Sequence, residues 1–232
     1  MQGDLDAPRG GPASDLSMQE RAYRVIRSRI VACRFPPGSS LNEGSVAVEL
    51  QLGRTPVRQA FDRLRQEGLV TVHPRRGVEV RGFEIGELLE IIEARLINEC
   101  HAAGLAAERA TPADLAGLEE IILRSGGATD PHDTERLMLL EQEFHAKLAD
   151  IAGNTVLANL LRNLCDRTIR FWFVASGRPG QRHHVIEQHA DIVAAVARGN
   201  RSDAETAMRR HLLDFRESVL RQPELVTRGY AP

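Results

Sequence analysis

The stretch from Gly53 to Val70 reads GRTPVRQAFDRLRQEGLV, and the N-terminal part of the chain is organised around it. Its apolar residues recur at intervals of four and three: Val57, Phe61 and Leu64. This spacing predicts a short helix with one buried stripe. Thr55 followed by Pro56 is typical of a helix start, because a hydroxyl can cap the free amides and proline fits the first helical position. Gly68 is typical of a helix end.

The opposite face of this helix carries arginines: Arg54, Arg58 and Arg65. Near the helix N-terminus the dipole favours phosphate, and an arginine can also bind guanine through two hydrogen bonds. Residues 69–72 and 77–81 then predict two strands around the polar turn at residues 73–76. Taken singly, each signal also fits an ordinary solvated surface. Together they indicate a winged helix-turn-helix, in which the basic hairpin is a second DNA contact.

Several motifs occur in the order found in the GntR family of bacterial transcription regulators: Phe35-Pro36-Pro37-Gly38, Leu41-Asn42-Glu43, Arg54-Thr55-Pro56-Val57-Arg58, Glu67-Gly68-Leu69-Val70 and Arg76-Gly77. Residues 18–82 therefore resemble the DNA-binding domain of that family. We expect six residues to contact double-stranded operator DNA: Arg54, Thr55, Pro56, Arg58, Arg76 and Gly77. One short helix reads too few base pairs for specificity, so we expect a homodimer on an inverted repeat.

Three positions depart from the family pattern. Gly44 stands where arginine is usual, Gln51 where glycine is usual, and Gly53 where serine or threonine is usual. The first and third of these positions often contact DNA in the family. We therefore expect the operator to differ from common family sites.

Charge is distributed unevenly along the 232 residues. Residues 18–82 contain 12 arginines and 6 carboxylates, whereas the remainder contains 18 basic and 26 acidic side chains. A basic module joined to an acidic one is expected when only the first meets DNA. The 3 cysteines are widely spaced, which disfavours a disulfide framework, and no apolar run has membrane-spanning length. We expect a soluble cytoplasmic protein that does not bind membranes.

The chain is expected to have four segments. Residues 1–16 form a disordered tail, residues 17–82 the winged helix-turn-helix, residues 83–222 a helical effector-binding and dimerisation domain, and residues 223–232 a C-terminal tail. Between residues 83 and 222 about six helical segments are separated by breakers, the fifth beginning near Arg182. The predicted fold class is mainly α, with an N-terminal winged helix-turn-helix and a C-terminal all-α antiparallel helical bundle.

Polar residues stand inside the apolar stripes of this bundle. His189 and His211 occupy such positions in the fifth and sixth segments, while Glu141 and His145 flank the buried face of the third. A lone core histidine is usually hydrogen-bonded, and an i,i+4 pair is usually on the surface. Four side chains from three helices that face one interior instead favour a divalent metal, because imidazole and carboxylate are ligands for Zn, Ni, Mn or Fe.

The bundle also resembles the FCD effector domain found in one branch of GntR regulators. The similarity rests on the run from Glu141 to His145, on Gly153-Asn154, on Glu187 with His189, and on His211-Leu212. Metal-binding members use an aspartate or glutamate and three histidines at these positions. The resemblance implies a metal site, with zinc the first expectation, held by Glu141, His145, His189 and His211. About six helices resembles the VanR-type subgroup.

Arg95 and Glu99 lie one turn apart on the face of the first bundle helix that carries Leu88 and Ile92. An ordinary i,i+4 ion pair is one interpretation. In the family, an arginine at the Arg95 position resembles one that binds the carboxylate of an effector. A guanidinium beside a metal would hold a small organic acid from two sides.

These features predict a transcription regulator, a repressor, whose operator affinity responds to a small carboxylate metabolite. One alternative is a metal-dependent hydrolase or lyase with a DNA-binding appendage. Another is a regulator whose metal is purely structural or is itself the signal. The sequence has no His-Glu-x-x-His run and no recognisable Ser/His/Asp arrangement, so we predict that the chain is not an enzyme.

Overall fold

The computed structural model describes residues 17–221 except 75, 83, 128–133 and 176–178. The predicted tails, residues 1–16 and 223–232, lie outside this range. The described chain divides into two compact units. The first comprises the chain up to Ile30 together with Phe35–Arg81, and the second comprises Val31–Arg34 together with the chain from Gly82 onward.

The helices and strands follow in this order: α1 (Met18–Val31), β1 (Ser40–Leu41), α2 (Glu43–Glu49), α3 (Arg54–Gln66), β2 (Val70–His73), β3 (Gly77–Val80), α4 (Ile85–Arg109), α5 (Pro112–Gly126), α6 (Thr134–Ile151), α7 (Thr155–Ala175), α8 (Pro179–Ala197) and α9 (Arg201–Leu220). The mainly α fold class, with a small sheet in the first unit and helices throughout the described second unit, is confirmed.

The first unit contains a three-stranded antiparallel sheet in the order β1-β3-β2. The hairpin of β2 and β3 has the register Val70↔Val80 and His73↔Gly77, close to the predicted strands. The short strand β1 was not predicted. It has only two residues and pairs with β3, with Ser40 opposite Glu79. It therefore forms because of a strand far along the chain.

The start of α3 differs from the prediction. The N-cap is Gly53, which has extended backbone angles and no side-chain cap, so Thr55 and Pro56 are the second and third helical residues rather than cap and first residue. Pro56 is tolerated there because the first intrahelical bond in this helix runs from the Val57 amide to the Gly53 carbonyl, at 3.3 Å. The predicted Thr55 cap is therefore wrong.

The end of α3 agrees with the prediction. Gly68 has a φ of +76°, a conformation that glycine adopts without steric cost. The Leu69 amide then donates to the Leu64 carbonyl at 2.9 Å, and the Gly68 amide donates to the Arg65 carbonyl at 3.1 Å. This pattern satisfies carbonyls at the end of the helix and turns the fully buried Leu69 into the core.

The core of the first unit is built from helical stripes and the inward face of the sheet. The buried members on α1 and α3 are Ala22, Tyr23, Ile26, Ile30, Val57, Ala60, Phe61 and Leu64. A polar clasp adds to this packing, because Tyr23 donates to both carboxylate oxygens of Glu67 at 2.9 and 3.0 Å. The Arg63 guanidinium lies 3.5 Å from the centre of the Tyr23 ring. Together these contacts tie α1 to α3.

The second unit is a helical bundle in which α4 packs against α6, α7, α8 and α9. The described residues of this unit form six helices, α4–α9, which is the predicted number, and α8 begins at Pro179, before the expected start near Arg182. The approach of α4 to α9 is close at Gly104. A Cβ atom there would lie 2.9 Å from Arg201 Cγ and 2.5 Å from Glu205 Oε1. None of the helices in the described residues is long and apolar enough to cross a membrane.

Candidate metal centre and DNA-binding surface

The structure brings together the four side chains that the sequence singles out as metal ligands. Glu141 and His145 come from α6, His189 from α8 and His211 from α9. Their exposed fractions are 8%, 5%, 3% and 3%, and one ligand atom from each lies within 4.8 Å of the others. Helical spacing explains why Glu141 and His145 lie together, because they are one turn apart on the same helix.

All three imidazoles point their Nε2 atoms at the carboxylate of Glu141. Oε1 of Glu141 lies 3.1 Å from His145 Nε2 and 3.5 Å from His211 Nε2, and Oε2 lies 3.4 Å from His189 Nε2. The Nε2 atoms of His145 and His211 are 3.2 Å apart. A single centre can therefore be reached by three nitrogen atoms and one carboxylate.

The donor atoms fit a shared divalent cation better than they fit one another. His189 Nε2 is buried and has no hydrogen-bond partner among the described residues. Such an atom costs about 1–3 kcal/mol when left unpaired. The His145 and His211 Nε2 atoms can satisfy each other only if one carries a proton. Three imidazole nitrogens with a carboxylate are a suitable donor set for zinc and its neighbours, and a bound cation would satisfy all of them together.

The metal-free histidines differ in their acid–base properties. Burial lowers the pKa of His189 to about 3, despite the attraction of Glu141. Burial also disfavours charge on His145, but Glu99 and Glu141 overcome it and raise the pKa of His145 to about 9. Burial opposes ionisation of Glu141, yet the surrounding imidazoles hold the pKa of that carboxyl well below its usual range. A cation bound here would therefore displace a proton from His145 at neutral pH.

The Nδ1 atoms of two imidazoles lie close to polar side chains outside the cluster. Oε2 of Glu99 lies 2.7 Å from His145 Nδ1, and Oε1 of Gln188 lies 3.2 Å from His211 Nδ1. Sequence reasoning considered Glu99 only as a partner of Arg95, and it missed Gln188. Two signals in the sequence could have found them. Glu99 is a glutamate on an apolar helix face, and Gln188 directly precedes His189.

Arg95 is 5% exposed and lies beside the cluster. Its Nε donates to Glu99 Oε1, and its Nη2 lies 3.3 Å from Glu99 Oε2. A small cavity lies between Arg95 and two residues of the metal cluster. Its lining consists of Arg95, Glu141, Cys165, Thr168, Ile169, His211, Leu212 and Phe215. Two of the residues predicted for the metal, Glu141 and His211, therefore line the same cavity as Arg95, the residue predicted for the effector.

The residues predicted to contact DNA lie in the first unit. Arg54, Thr55, Arg58 and Arg76 are exposed, while Pro56 and Gly77 are half-buried. Arg54 and Arg58 are one turn apart in the N-terminal part of α3. Gly77 has a φ of +95°, and a Cβ atom there would lie 2.9 Å from the Leu41 carbonyl oxygen. The hairpin therefore requires glycine at this position.

A helix with exposed arginines at its N-terminus, next to a hairpin, and a separate helical bundle with a polar cavity define a two-domain winged-helix regulator. Residues 18–80 match the bacterial regulatory proteins of the gntR family, and residues 90–214 match the FCD domain. The chain therefore belongs to the FCD branch of the GntR family and is a DNA-binding transcription regulator.

The similarity extends over most of the chain. The transcriptional repressor RspR of Escherichia coli K12 is 28% identical over 87% of this chain and 89% of its own length. The Nta operon transcriptional regulator of Aminobacter aminovorans is 30% identical, covering 82% and 89%. A GntR transcriptional regulator from Rhodococcus sp. RHA1 has a TM-score of 0.75 with 25% identity, covering 88% of this chain and 98% of that one.

Escherichia coli McbR/YncC shares the fold, with a TM-score of 0.82 at 21% identity, covering 90% of this chain and 99% of that one. The predicted family is thus confirmed, and so is the prediction of a regulator rather than an enzyme, because the matching families and relatives are regulators. The VanR-type subgroup stays a prediction.

Proposed function

We propose that the chain is a homodimeric cytoplasmic repressor whose affinity for operator DNA is set by a small carboxylate metabolite. The winged helix-turn-helix of residues 17–82 binds the DNA, and the helical domain of residues 83–222 binds the metabolite and forms the dimer. The observation that carries this proposal is the single cavity that Arg95 shares with Glu141 and His211 of the metal cluster.

Glu141, His145, His189 and His211 hold one divalent metal ion in this proposal. Zinc suits their nitrogen-rich donor set, and Ni, Mn and Fe are the alternatives. The metal supplies Lewis-acidic positions for a carboxylate oxygen. Arg95 offers its guanidinium to the same ligand, which favours a small anion over a neutral molecule. Because the cavity is small and is lined mainly by buried side chains, the ligand must be small.

The DNA contacts come from two places in the first unit. Arg54, Thr55, Pro56 and Arg58 meet the major groove from α3, and Arg76 with Gly77 contacts DNA from the wing. The exposure of Arg54, Thr55 and Arg58 near the N-terminus of a helix, and of Arg76 in the hairpin, supports this assignment. The glycines at positions 44 and 53 remove side chains that family members often use, so Arg54 and Arg58 carry a larger share of the recognition.

Dimerisation places two α3 helices on an inverted repeat. Helices α4 and α7 share a core cluster and carry exposed apolar residues, with Ile97 68% and Val156 79% exposed. We assign the dimer contact to this face. Ile97→Arg should yield a monomer in sedimentation at micromolar concentration. Leu123→Arg, at an equally exposed position on α5 (77% exposed), should leave the dimer intact.

Regulation follows from linkage between the two sites. A metabolite that binds more tightly to the DNA-free state must weaken operator binding. Operator DNA must in turn weaken metabolite binding by the same factor. A thermal-shift screen of small organic acids tests the proposal, because a bound ligand raises apparent stability. The active acid should then release a fluorescent operator duplex from the metal-loaded protein but not from the chelated protein. Release that survives chelation would leave the metal no regulatory role.

A further inference from the structure

Glu99 occupies an unusual place beside the proposed metal centre. It lies on α4 and is 3% exposed, and it does not belong to the four-residue cluster. One carboxylate oxygen accepts from Arg95 Nε, while the other lies 2.7 Å from His145 Nδ1 and 3.3 Å from Arg95 Nη2. The carboxylate is therefore held between the arginine that lines the cavity and an imidazole of the cluster.

The charge of this carboxylate, 2.7 Å from Nδ1, influences which nitrogen of His145 is free. A carboxylate at Nδ1 favours the tautomer that carries its proton there, so that the Nε2 lone pair faces Glu141 and the centre of the cluster. His211 has a neutral counterpart, since Gln188 Oε1 lies 3.2 Å from its Nδ1. The charged partner at His145 adds electron density to the ring, whereas the amide at His211 only orients it.

We propose that Glu99 is a positioning residue that orients His145 as a metal ligand and connects it to Arg95. This inference rests on the proposed metal-binding function. It assigns to Glu99 a role beyond the i,i+4 pair with Arg95, because the same carboxylate oxygen that contacts Arg95 Nη2 also contacts His145.

The connection links the two halves of the effector site. An anion that engages Arg95 competes with Glu99 for the guanidinium. Glu99 then turns its full negative charge to His145, which strengthens that imidazole as a ligand. Metal affinity and acid affinity are thereby coupled through residues on α4 and α6, and the coupling must be reciprocal.

Titration of the full-length chelated protein with Co²⁺, followed by the visible absorption of the bound ion, tests the role of Glu99. Glu99→Gln keeps an acceptor atom but loses the charge. Glu99→Asp keeps the charge but withdraws the carboxylate from Nδ1. Loss of an outer partner of a metal ligand weakens binding by about 10–100-fold, and we expect a rise of that size in the Co²⁺ dissociation constant for both variants. The absorption bands at saturation should also shift.

A matched control is Glu143→Gln, which removes the same charge from an exposed position on α6, 44% exposed and paired with Arg124. Its dissociation constant and spectrum should equal those of the wild type. A role of Glu99 limited to stability would leave the saturated spectrum unchanged, which separates positioning from folding. Circular dichroism establishes that each variant is folded. If Glu99→Gln does not fold, Glu99→Asp still provides a negative charge that neutralises Arg95.

The inference is overturned if either folded Glu99 variant binds Co²⁺ within twofold of the wild type with the same spectrum. That result would leave the metal site itself intact. Failure of the wild type to bind Co²⁺ is a different outcome, because it would remove the proposed metal function together with the role of Glu99.

Discussion

Replacing His189 by leucine should stabilise the metal-free protein and destabilise the metal-loaded one. His189 is 3% exposed, its Nε2 has no hydrogen-bond partner among the described residues, and its nearest carboxylate oxygen is 3.4 Å away on Glu141. Leucine has a similar volume and needs no partner. Glu141 keeps its contacts with His145 and His211 in the variant.

The free energy of unfolding in the metal-free state changes through two opposing effects. Removing the unpaired buried nitrogen stabilises by about 1–3 kcal/mol. Losing the stack of His189 on Phe144, with ring centres 3.8 Å apart, costs about 0.5–1.5 kcal/mol. The variant should therefore be more stable than the wild type by about 1 kcal/mol, the difference between the midpoints of those ranges.

Bound metal reverses the order of stability of the wild type and the His189→Leu variant. At a free concentration of 100 times the dissociation constant, the metal stabilises the wild type by about 2.7 kcal/mol. If loss of one ligand weakens binding 100-fold, the same concentration stabilises the variant by only about 0.4 kcal/mol. The wild type should then be the more stable protein by about 1 kcal/mol.

Lowering the pH should enlarge the difference in stability between the metal-free wild type and the metal-free His189→Leu variant. Burial lowers the pKa of folded His189 from 6.5 to about 3. Between these values the unfolded chain binds a proton that the folded chain does not, so the wild type loses stability as pH falls from 6.5. At pH 5.5 this adds about 1.4 kcal/mol to the advantage of the leucine variant. His145 titrates in both proteins, and comparing the two largely removes its contribution.

Urea unfolding followed by tryptophan fluorescence measures these differences, because the only tryptophan, Trp172, lies on α7 of the bundle. Chelated and zinc-loaded samples are compared at pH 7.5, and chelated samples also at pH 5.5. His183→Leu, on the same helix at an 80% exposed position, should change stability little under any condition. A wild type that is more stable than His189→Leu without metal, or a difference unaffected by metal, would refute the reasoning.

Three further predictions concern the first unit. Arg58→Ala should weaken operator binding by about 1–3 kcal/mol if Arg58 contacts a base edge. Fluorescence anisotropy with operator and scrambled duplexes tests this, because loss of a phosphate contact would instead weaken binding to both duplexes equally. Gly77→Ala should destabilise the wing by about 1–3 kcal/mol, because φ is +95° and the new Cβ would lie 2.9 Å from the Leu41 carbonyl oxygen, and operator affinity should fall with it. Tyr23→Phe should cost about 1.5 kcal/mol in unfolding monitored by circular dichroism, since it removes the 2.9 Å hydrogen bond to the Glu67 carboxylate.

The helices were predictable because their signals are local. The residues of α4, Ile85–Arg109, form a long amphipathic pattern bounded by breakers. The start of α3 was not predicted correctly. Gly53, which has no side chain to cap the helix, occupies the N-cap position that was expected for Thr55. Strand β1 could not be found from its own two residues, since it exists through pairing with β3.

The candidate site shows the same division. His189 and His211 stood out because a polar residue in an apolar stripe is visible in the sequence. Their meeting with His145 depends on how α6, α8 and α9 are rotated against one another, which helical periodicity constrains but does not determine. The contact of Glu99 with His145 crosses from α4 to α6, and no spacing along the chain encodes it.

In the proposed function, Glu141, His145, His189 and His211 hold a metal ion, and the regulation by a carboxylate depends on it. Elemental analysis by mass spectrometry tests it on the full-length protein, purified without chelators and without a metal-affinity tag. We expect one divalent ion per chain in the wild type and a large loss of metal in His189→Leu and His211→Leu. A wild type that carries no divalent metal, and takes up none from zinc, nickel or manganese solutions, would contradict the account.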